Sequence, residues 1–486
     1  MSETSELFKE RLKKLDSIKG LGVEPFGGKF LKTRTIDELI QGFQEHQRVC
    51  TAGRLSAMRS MGKITFCDLK DDTGRVQLFM KQDNLGLKAF QLFQLLDIGD
   101  IVGAEGEFFK TKTGEISIRV DKISLLSKSL RPLPEKWHGL KDVEIRYRQR
   151  YLDLISNDET KEIFKKRSLI IRSVRRTLDE RGYLEVETPM MHSIPGGAAG
   201  KPFKTHHEAL GMNLYLRVAP ELYLKKLLVG GFEKVYEINK SFRNEGISTR
   251  HNPEFTMLEV YTAYDDVNDV MDLTETIVKQ AAQESSGSLV LNFDGHSLDL
   301  SRWQRVSFAQ MMNDRFGIQP DDPVTAWIEK LKKKGVKIDG KDLSRSQVVN
   351  LVGELLEPGT DFSKKENKPI FVTDYFTELC PLAKKNKKNP LISDRFELYI
   401  GGMEIANGYS ELNDPIEQRE RLLEELKEKG KESTTETLDE DFLTALEHGM
   451  PPAGGLGIGI DRLVMVLTNQ PSIREVILFP QMKPEK

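Results

Sequence analysis

Residues 233–264, EKVYEINKSFRNEGISTRHNPEFTMLEVYTAY, read as strand, polar loop, strand. The flanking runs EKVYEINKSF (233–242) and EFTMLEVYTAY (254–264) alternate with the period of two that a half-buried strand requires. In the second run Leu258 and Val260 point one way, toward a core, while Phe255, Met257, Glu259 and Tyr261 point the other. A carboxylate and a phenol beside an aromatic ring, on the polar side of such a strand, suit a ligand-binding floor. The loop RNEGISTRHNP opens with Arg243 and Glu245 and closes with Arg250, His251 and Asn252. It can wrap a triphosphate, with arginine on phosphate and Phe255 stacked on a base. Taken alone, the same residues also describe a charged surface hairpin.

Two further segments extend this reading. In GGLGIGIDR (454–462), alternation puts Leu456, Ile458 and Ile460 on one face and Gly455, Gly457 and Gly459 on the other. The glycine face is bare backbone, open to close approach by a flat ligand. Asp461 is positioned to cap the helix LVMVLTNQ, and Arg462 projects at the strand–helix junction, where a guanidinium suits a phosphate or an aromatic ring. Tight strand packing with a surface arginine is the plainer alternative. In ELYIGGMEIANGYSELND (397–414), Asn407, Tyr409 and Glu411 share a face. Strict alternation separates Glu397 from Glu404, and a bulge at Gly401-Gly402 is the device expected to bring them together. Two convergent carboxylates suit a magnesium ion bridging phosphates, although a pair of solvated edge carboxylates has the same spacing.

Several motifs are absent. There is no GxxxxGK[ST]; the nearest stretch, GGAAGKPF (196–203), has Pro202 where the metal-binding hydroxyl should stand, and 454–462 does not match GxGxxG. The three cysteines (Cys50, Cys67, Cys380) form no CxxC, so neither a disulfide framework nor a cysteine zinc site is expected. No apolar run approaches the roughly 18 residues that span a bilayer. The start, MSETSELFKERLKKLDSIKG, lacks an apolar signal core, and a cytoplasmic location fits.

The 486 residues carry a net charge of −3, which on its face argues against a polyanionic partner. The sum hides a division. Residues 1–150 hold 27 Lys+Arg against 21 Asp+Glu, a surplus of +6, and the remaining 336 hold 45 against 54, or −9. That is the asymmetry expected where one domain meets a polyanion, although ordinary scatter of surface charge gives the same split. Residues 47–126 read as five strands, near 49–57, 61–69, 74–81, 98–108 and 114–126, with the helical stretch NLGLKAFQLFQLL after the third. This is the order of an OB-fold barrel, whose second and third strands bind single-stranded nucleic acid. Phe66 can stack a base and Gln77 can read a base edge, with Arg54, Arg59 and Lys63 nearby. Helices are expected at 5–20, where Leu7, Leu12, Leu15 and Ile18 recur, at 35–46 and at 416–430. The proline-bearing basic tract SKSLRPLPEKWHGLKD (127–142) reads as a linker region, and KEKGKESTTETLDED (427–441) as an exposed loop.

Together these segments resemble the class II aminoacyl-tRNA synthetases, and among them the lysyl-tRNA synthetases of bacterial type. RGYLEVETPMM (181–191) is similar to the family's motif 1, FRNEGISTRHNPEF (242–255) to motif 2 and GLGIGIDR (455–462) to motif 3. IRYRQRYLDL (145–154), IPGGAAGKPF (194–203) and NGYSELND (407–414) carry the subgroup resemblance, which covers essentially the whole chain. The implied fold class is α+β and multidomain: a five-stranded OB-fold barrel followed by a catalytic domain on an antiparallel sheet flanked by helices. The implied division is a helical extension (1–46), an anticodon-binding barrel (47–130), a linker (131–142) and the catalytic domain (143–486).

The resemblance also implies roles. Arg243 would hold the lysine carboxylate and the α-phosphate, acting in catalysis with Arg462. Glu245, His251, Asn252 and Phe255 would hold ATP, the adenine lying between Phe255 and Arg462. Glu397 and Glu404 would bind Mg²⁺. Gly197 and Glu221 would fix the substrate's α-amino group, Asn407 would assist at its carboxylate, and Glu259, Tyr261 and Glu411 would receive its ε-ammonium. Phe66 and Gln77 match positions that meet the anticodon of tRNA(Lys). Motif 1 implies a homodimer, and no membrane is involved. An aspartyl or asparaginyl enzyme would need a different side-chain receptor where Glu259 and Glu411 stand. A protein-modifying lysyl transferase would lack the barrel. A catalytically dead RNA-binding relative should have lost Arg243, Glu404 or Arg462.

Overall fold

Alternation in the first third closes a barrel. The computed structural model describes residues 6–62, 64–134, 140–198, 200–338, 343–353, 367–429 and 438–485. Five strands, β1 (Arg48–Met61), β2 (Ile64–Lys70), β3 (Arg75–Lys81), β4 (Ile101–Lys110) and β5 (Ile116–Ser127), close in the order β1-β2-β3-β5-β4. Only β3 and β5 run parallel. Inward residues such as Leu55, Leu69, Leu78, Val102, Phe108 and Ile118 are fully buried, each contributing about 1.5–3 kcal/mol by leaving water. Between β3 and β4 the expected helix is two short ones, Gln82–Leu85 and Leu87–Gln94, interrupted at Gly86.

The N-terminal helix, Glu6–Gly20, buries Leu15 and Ile18 but leaves Leu7 and Leu12 outward. Its inward position is taken by Arg11, whose guanidinium donates to the carbonyls of Ser129, Arg131 and Ile98, each at 3.0 Å. The second predicted helix is the shorter Ile36–Gln41, closed by a Thr35/Glu38 capping box.

Clustering of contacts divides the chain into residues 1–141 and 142–486. The larger unit is built on an eight-stranded sheet. Its order is Gln304–Ser307, Ile370–Thr373, Arg395–Ile400, Met403–Ser410, Ala453–Gly459, Glu254–Ala263, Lys234–Phe242 and Leu184–Glu185. The two outermost pairings are parallel and all the inner ones antiparallel. One face packs Leu258, Val260, Leu398, Ala406, Leu456 and Ile458 against the helices Asp158–Asp179, Val267–Ser286 and Ile460–Leu467. The other face is free to build a site.

Two local expectations are corrected here. Gly401 and Gly402 form the tight hairpin turn, both at positive φ (58° and 71°), which only glycine adopts without strain. The bulge lies further on, where Leu398 pairs with Ala406 but Tyr399 pairs with Glu404, so that Ile405 is extra. Asp461 does not cap its helix. Gly459 is the N-cap residue, and the Asp461 carboxylate instead accepts the Thr256 amide (2.7 Å) and pairs with Arg167 (2.7 Å), tying helix to strand. The helix expected at 416–430 is Pro415–Lys429. Lys63, residues 135–139 of the linker and 430–437 of the exposed loop lie outside the described residues.

Candidate active site

The open face of the large sheet floors a cavity of about 1170 Å³ within the second unit. Its lining includes Gly197, Glu221, Arg243, Glu245, His251, Asn252, Phe255, Glu259, Tyr261, Glu397, Glu404, Asn407, Glu411 and Arg462. Motifs far apart in the chain meet there because their strands are neighbours. Glu259 pairs with Gly457, and Gly457 pairs on its other side with Asn407.

At one end the charges are buried. Glu259, Tyr261 and Glu411 are all nearly sealed from solvent, and the Tyr261 hydroxyl donates to Glu259 (3.1 Å). Burial, and then the nearby Glu221 charge, push the Glu259 carboxyl up to about 8. The same two causes hold the Tyr261 and Tyr409 phenols far above their ordinary value, so both stay neutral donors. Tyr409 donates to Glu221 (2.7 Å).

Sequence reasoning missed Lys225. On the helix Glu221–Val229 it is wholly buried, with its ammonium 2.7 Å from Glu221 and 2.5 Å from Glu411. Burial opposes its charge, but the two carboxylates outweigh burial and hold its pKa above the ordinary value. Glu411 therefore meets an internal ammonium on its Oε2 side. Its Oε1 lies over Gly455, where an added Cβ would stand 1.8 Å away. Glu237, opposite Glu259 across the sheet, is likewise neutralised by Arg217 (2.6 Å), a second residue missed from sequence. The signals were present: Glu221 and Lys225 are spaced i,i+4 on a helix whose only other charged residue is Lys226, a spacing that also marks ordinary surface pairs. Gly197 has φ +88°, and an added Cβ there would lie 3.3 Å from the Glu221 Cβ, so the glycine lets this loop close over the carboxylate.

At the other end the polar loop supplies cations. The Arg243 guanidinium covers one face of the Phe255 ring, 5.2 Å from its centroid. Burial pulls its pKa below the ordinary value, but its Nε has no hydrogen-bond partner among the described residues. Arg462 donates to the Glu404 carbonyl (2.8 Å) and meets His251 Nε2 (3.2 Å), while His251 Nδ1 is 2.9 Å from the Ser248 hydroxyl. Burial and then the Arg462 charge lower the His251 pKa, so the ring is neutral and accepts from the arginine. Asn252 is held by the chain itself: its amide donates to the Glu254 carbonyl (2.6 Å) and accepts the Gln481 amide (3.3 Å). Glu245 is exposed at the rim.

The two-residue turn at Gly401-Gly402 sets Glu404 opposite Tyr399 and so on the Glu397 face, and the Ile405 bulge brings Asn407 to that same face. Glu397 accepts from Tyr375 (2.7 Å), Tyr399 (2.8 Å) and Arg395 (2.6 Å), a cradle no motif announced. Arg395 also donates to Asn407 (3.3 Å). Burial and then Glu397 push the Glu404 carboxyl up. No group of three or more His, Cys, Asp or Glu side chains suited to a metal occurs among the described residues. A hard, oxygen-only pair such as Glu397 and Glu404 fits magnesium, which keeps waters and substrate phosphates as its remaining ligands.

On the barrel, Phe66 of β2 pairs across to Phe79 of β3, their rings edge-on at 5.4 Å, and Phe79 meets Phe109 at 5.6 Å. Gln77 shares this outer face and accepts from Ser117 (2.9 Å). Arg59 pairs with Phe66 across the strands. Arg54 is not presented there: its guanidinium donates to the Gly99 carbonyl (2.7 Å).

Residues 142–483 match the family of class II tRNA synthetases (D, K and N), and residues 49–126 match OB-fold nucleic acid binding domains. Fold and site thus define a class II aminoacyl-tRNA synthetase. The chain is 52% identical to the lysine–tRNA ligase of Carboxydothermus hydrogenoformans over 490 residues, covering 99% of both chains. It is 51% identical to that of Moorella thermoacetica, again over 99% of both, and 50% identical to that of Pelotomaculum thermopropionicum over 100% and 96%. The chain belongs to the lysine–tRNA ligase family.

Proposed function

We propose that this chain joins L-lysine to ATP as lysyl-adenylate and transfers the lysyl group to the 3′ end of tRNA(Lys), releasing pyrophosphate and then AMP. The observation that carries the substrate choice is the charge of the buried pocket. Three carboxylates, Glu221, Glu259 and Glu411, converge on it, and one internal ammonium, Lys225, answers them. An unpaired buried charge costs several kcal/mol, so the pocket favours a ligand that brings cations.

In this reading Glu259, Tyr261 and Glu411 receive the ε-ammonium, and Glu221 with the backbone at Gly197 receives the α-amino group. Arg243 holds the lysine carboxylate against the α-phosphate, assisted by Asn407. The unpartnered Arg243 Nε supports this role. The adenine lies between Arg462 and the Phe255 face that Arg243 leaves bare, with Glu245, His251 and Asn252 along the nucleotide. Asn252 acts by holding the loop, since its own amide is engaged with backbone. Glu397 and Glu404 would hold Mg²⁺, which when bound offsets phosphate charge.

No side-chain nucleophile is required. The lysine carboxylate attacks the α-phosphorus and pyrophosphate leaves; the terminal ribose hydroxyl of the tRNA then attacks the adenylate carbonyl and AMP leaves. Rate comes from orientation and from Arg243 and Arg462 facing the developing charge. Phe66 and Gln77 would meet the anticodon, with Phe79 and Phe109 extending the aromatic face. A homodimer goes with motif 1 and with the exposed Leu184, Met190 and Met191. A cytoplasmic location goes with the same reading; no helix among the described residues is long and apolar enough to cross a membrane.

The test is ATP–pyrophosphate exchange measured with each amino acid in turn. Lysine alone should support it strongly. Exchange driven by another amino acid and indifferent to lysine overturns the assignment.

A further inference from the structure

We propose that Lys225 is a specificity-determining positioning residue, a built-in cation that sets how many ammonium groups the amino-acid pocket will accept. The inference rests on the reading of this cavity as the lysine site.

Lys225 is fully buried on an element that contributes Glu221 to the pocket wall. Its ammonium bridges Glu221 (2.7 Å) and Glu411 (2.5 Å), which arrive from a helix and from the end of a distant strand. Tyr409 donates to the same Glu221 oxygen, and the rings of Tyr409 and Phe442 lie 5.6 and 6.0 Å from the ammonium. Once lysine has displaced the Glu259 proton, the three carboxylates Glu221, Glu259 and Glu411 less this one cation leave two charges for the substrate to answer. The substrate brings two ammonium groups, α and ε. Without Lys225 the pocket would have one carboxylate too many for lysine.

The bridge also fixes positions. Glu221 abuts Gly197, and the Glu411 Oε1 fills the space over Gly455. An unpinned Glu411 would take up a proton or turn toward the vacated space. The substrate's ε-ammonium would then be drawn to the position that Lys225 leaves, moving the α-carboxylate away from Arg243. Lys225 itself does not line the cavity, so it acts through Glu221 and Glu411.

The experiment uses pyrophosphate exchange by the full-length enzyme. Lysine dependence of the unmodified protein tests the site assignment first and separately. Lys225→Met should raise the lysine KM by about 30-fold with the ATP KM unchanged. Lys225→Ala should behave alike and be rescued by n-propylammonium, which restores the missing cation, but not by 1-propanol. In the unmodified enzyme the same amine should only inhibit. A lysine KM for Lys225→Met within about twofold of the unmodified enzyme overturns the proposal, as does a parallel rise in both KM values without amine rescue, which marks a purely structural role. If Lys225→Ala does not fold by itself, refolding with n-propylammonium decides: recovered exchange supports the proposal, and none overturns it.

Discussion

The barrel and the catalytic cavity both present aromatic rings and charges, but they handle charge in opposite ways. On the outer surface of the barrel the ions are exposed and matched. Arg48 pairs with Asp121 and Arg75 pairs with Glu115, all in contact with water. The rings of Phe66, Phe79 and Phe109 lie on the outer face. In the cavity the ions are buried and, counted together, unmatched. The contrast follows from the ligands each reading assigns. Bases stack on an open ring and tolerate solvent, whereas an ammonium is held by carboxylates only where water does not compete.

The comparison is broken most directly at Glu259. Glu259→Gln should lower kcat/KM for lysine by roughly a hundredfold or more, since one partner of a buried charge is lost. The ATP KM should stay unchanged, and equal losses in both would remove the ammonium role. Gly455→Ala drives a methyl into Glu411 and should destabilise folding by about 1–3 kcal/mol while raising the lysine KM, read by urea unfolding and exchange.

Phe66→Ala should weaken tRNA by about 1–3 kcal/mol of stacking, seen as a raised tRNA KM in charging with exchange untouched. An unchanged tRNA KM would move the anticodon contact elsewhere on the barrel.

The pH dependence sharpens the cavity side. Glu259 is held near 8, so the free pocket is mostly protonated there at pH 7, and lysine must displace that proton. From pH 7 to 8 kcat/KM for lysine should rise about fivefold, with proton release on binding. For stability the sign is the reverse. This carboxyl's contribution is present below its ordinary value near 4.5 and is lost as pH rises toward 8. Added lysine should therefore raise the melting temperature more at pH 8 than at pH 6. The smallest effect belongs to the barrel surface: Arg48→Ala should leave melting temperature and charging within error.

Period-two patterning made much of this legible. Leu258 and Val260 went to the core and Glu259 and Tyr261 to the cavity, as alternation required. The glycine face of 455–459 was legible for the same reason, although the space above Gly455 holds the chain's own Glu411 and Tyr261. What escaped was whatever depended on elements meeting in space. Lys225 looks like half of a surface helix pair until Glu411 arrives from nearly two hundred residues away. Arg217 follows a strand of a separate three-stranded sheet and meets Glu237 only in the folded chain, while Arg395 reaches Glu397 along its own strand and Tyr375 joins them from another element. Asp461 stands where a cap was expected, yet the helix reaches its cap two residues earlier, at Gly459. The bulge at Ile405 has no glycine to announce it.

That bulge makes the hairpin 395–410 a device for counting. Strands have two sides, and an even or odd number of residues decides which side a group meets. One surplus residue changes the parity, so Glu404 and Asn407, an odd distance apart on one strand, come to the same side. Drawing Ile405 into regular alternation would remove no functional group at all. It would put Glu404 and Asn407, three residues apart, on opposite sides of the sheet, so the site is sensitive to backbone register at a position that is insensitive to chemistry.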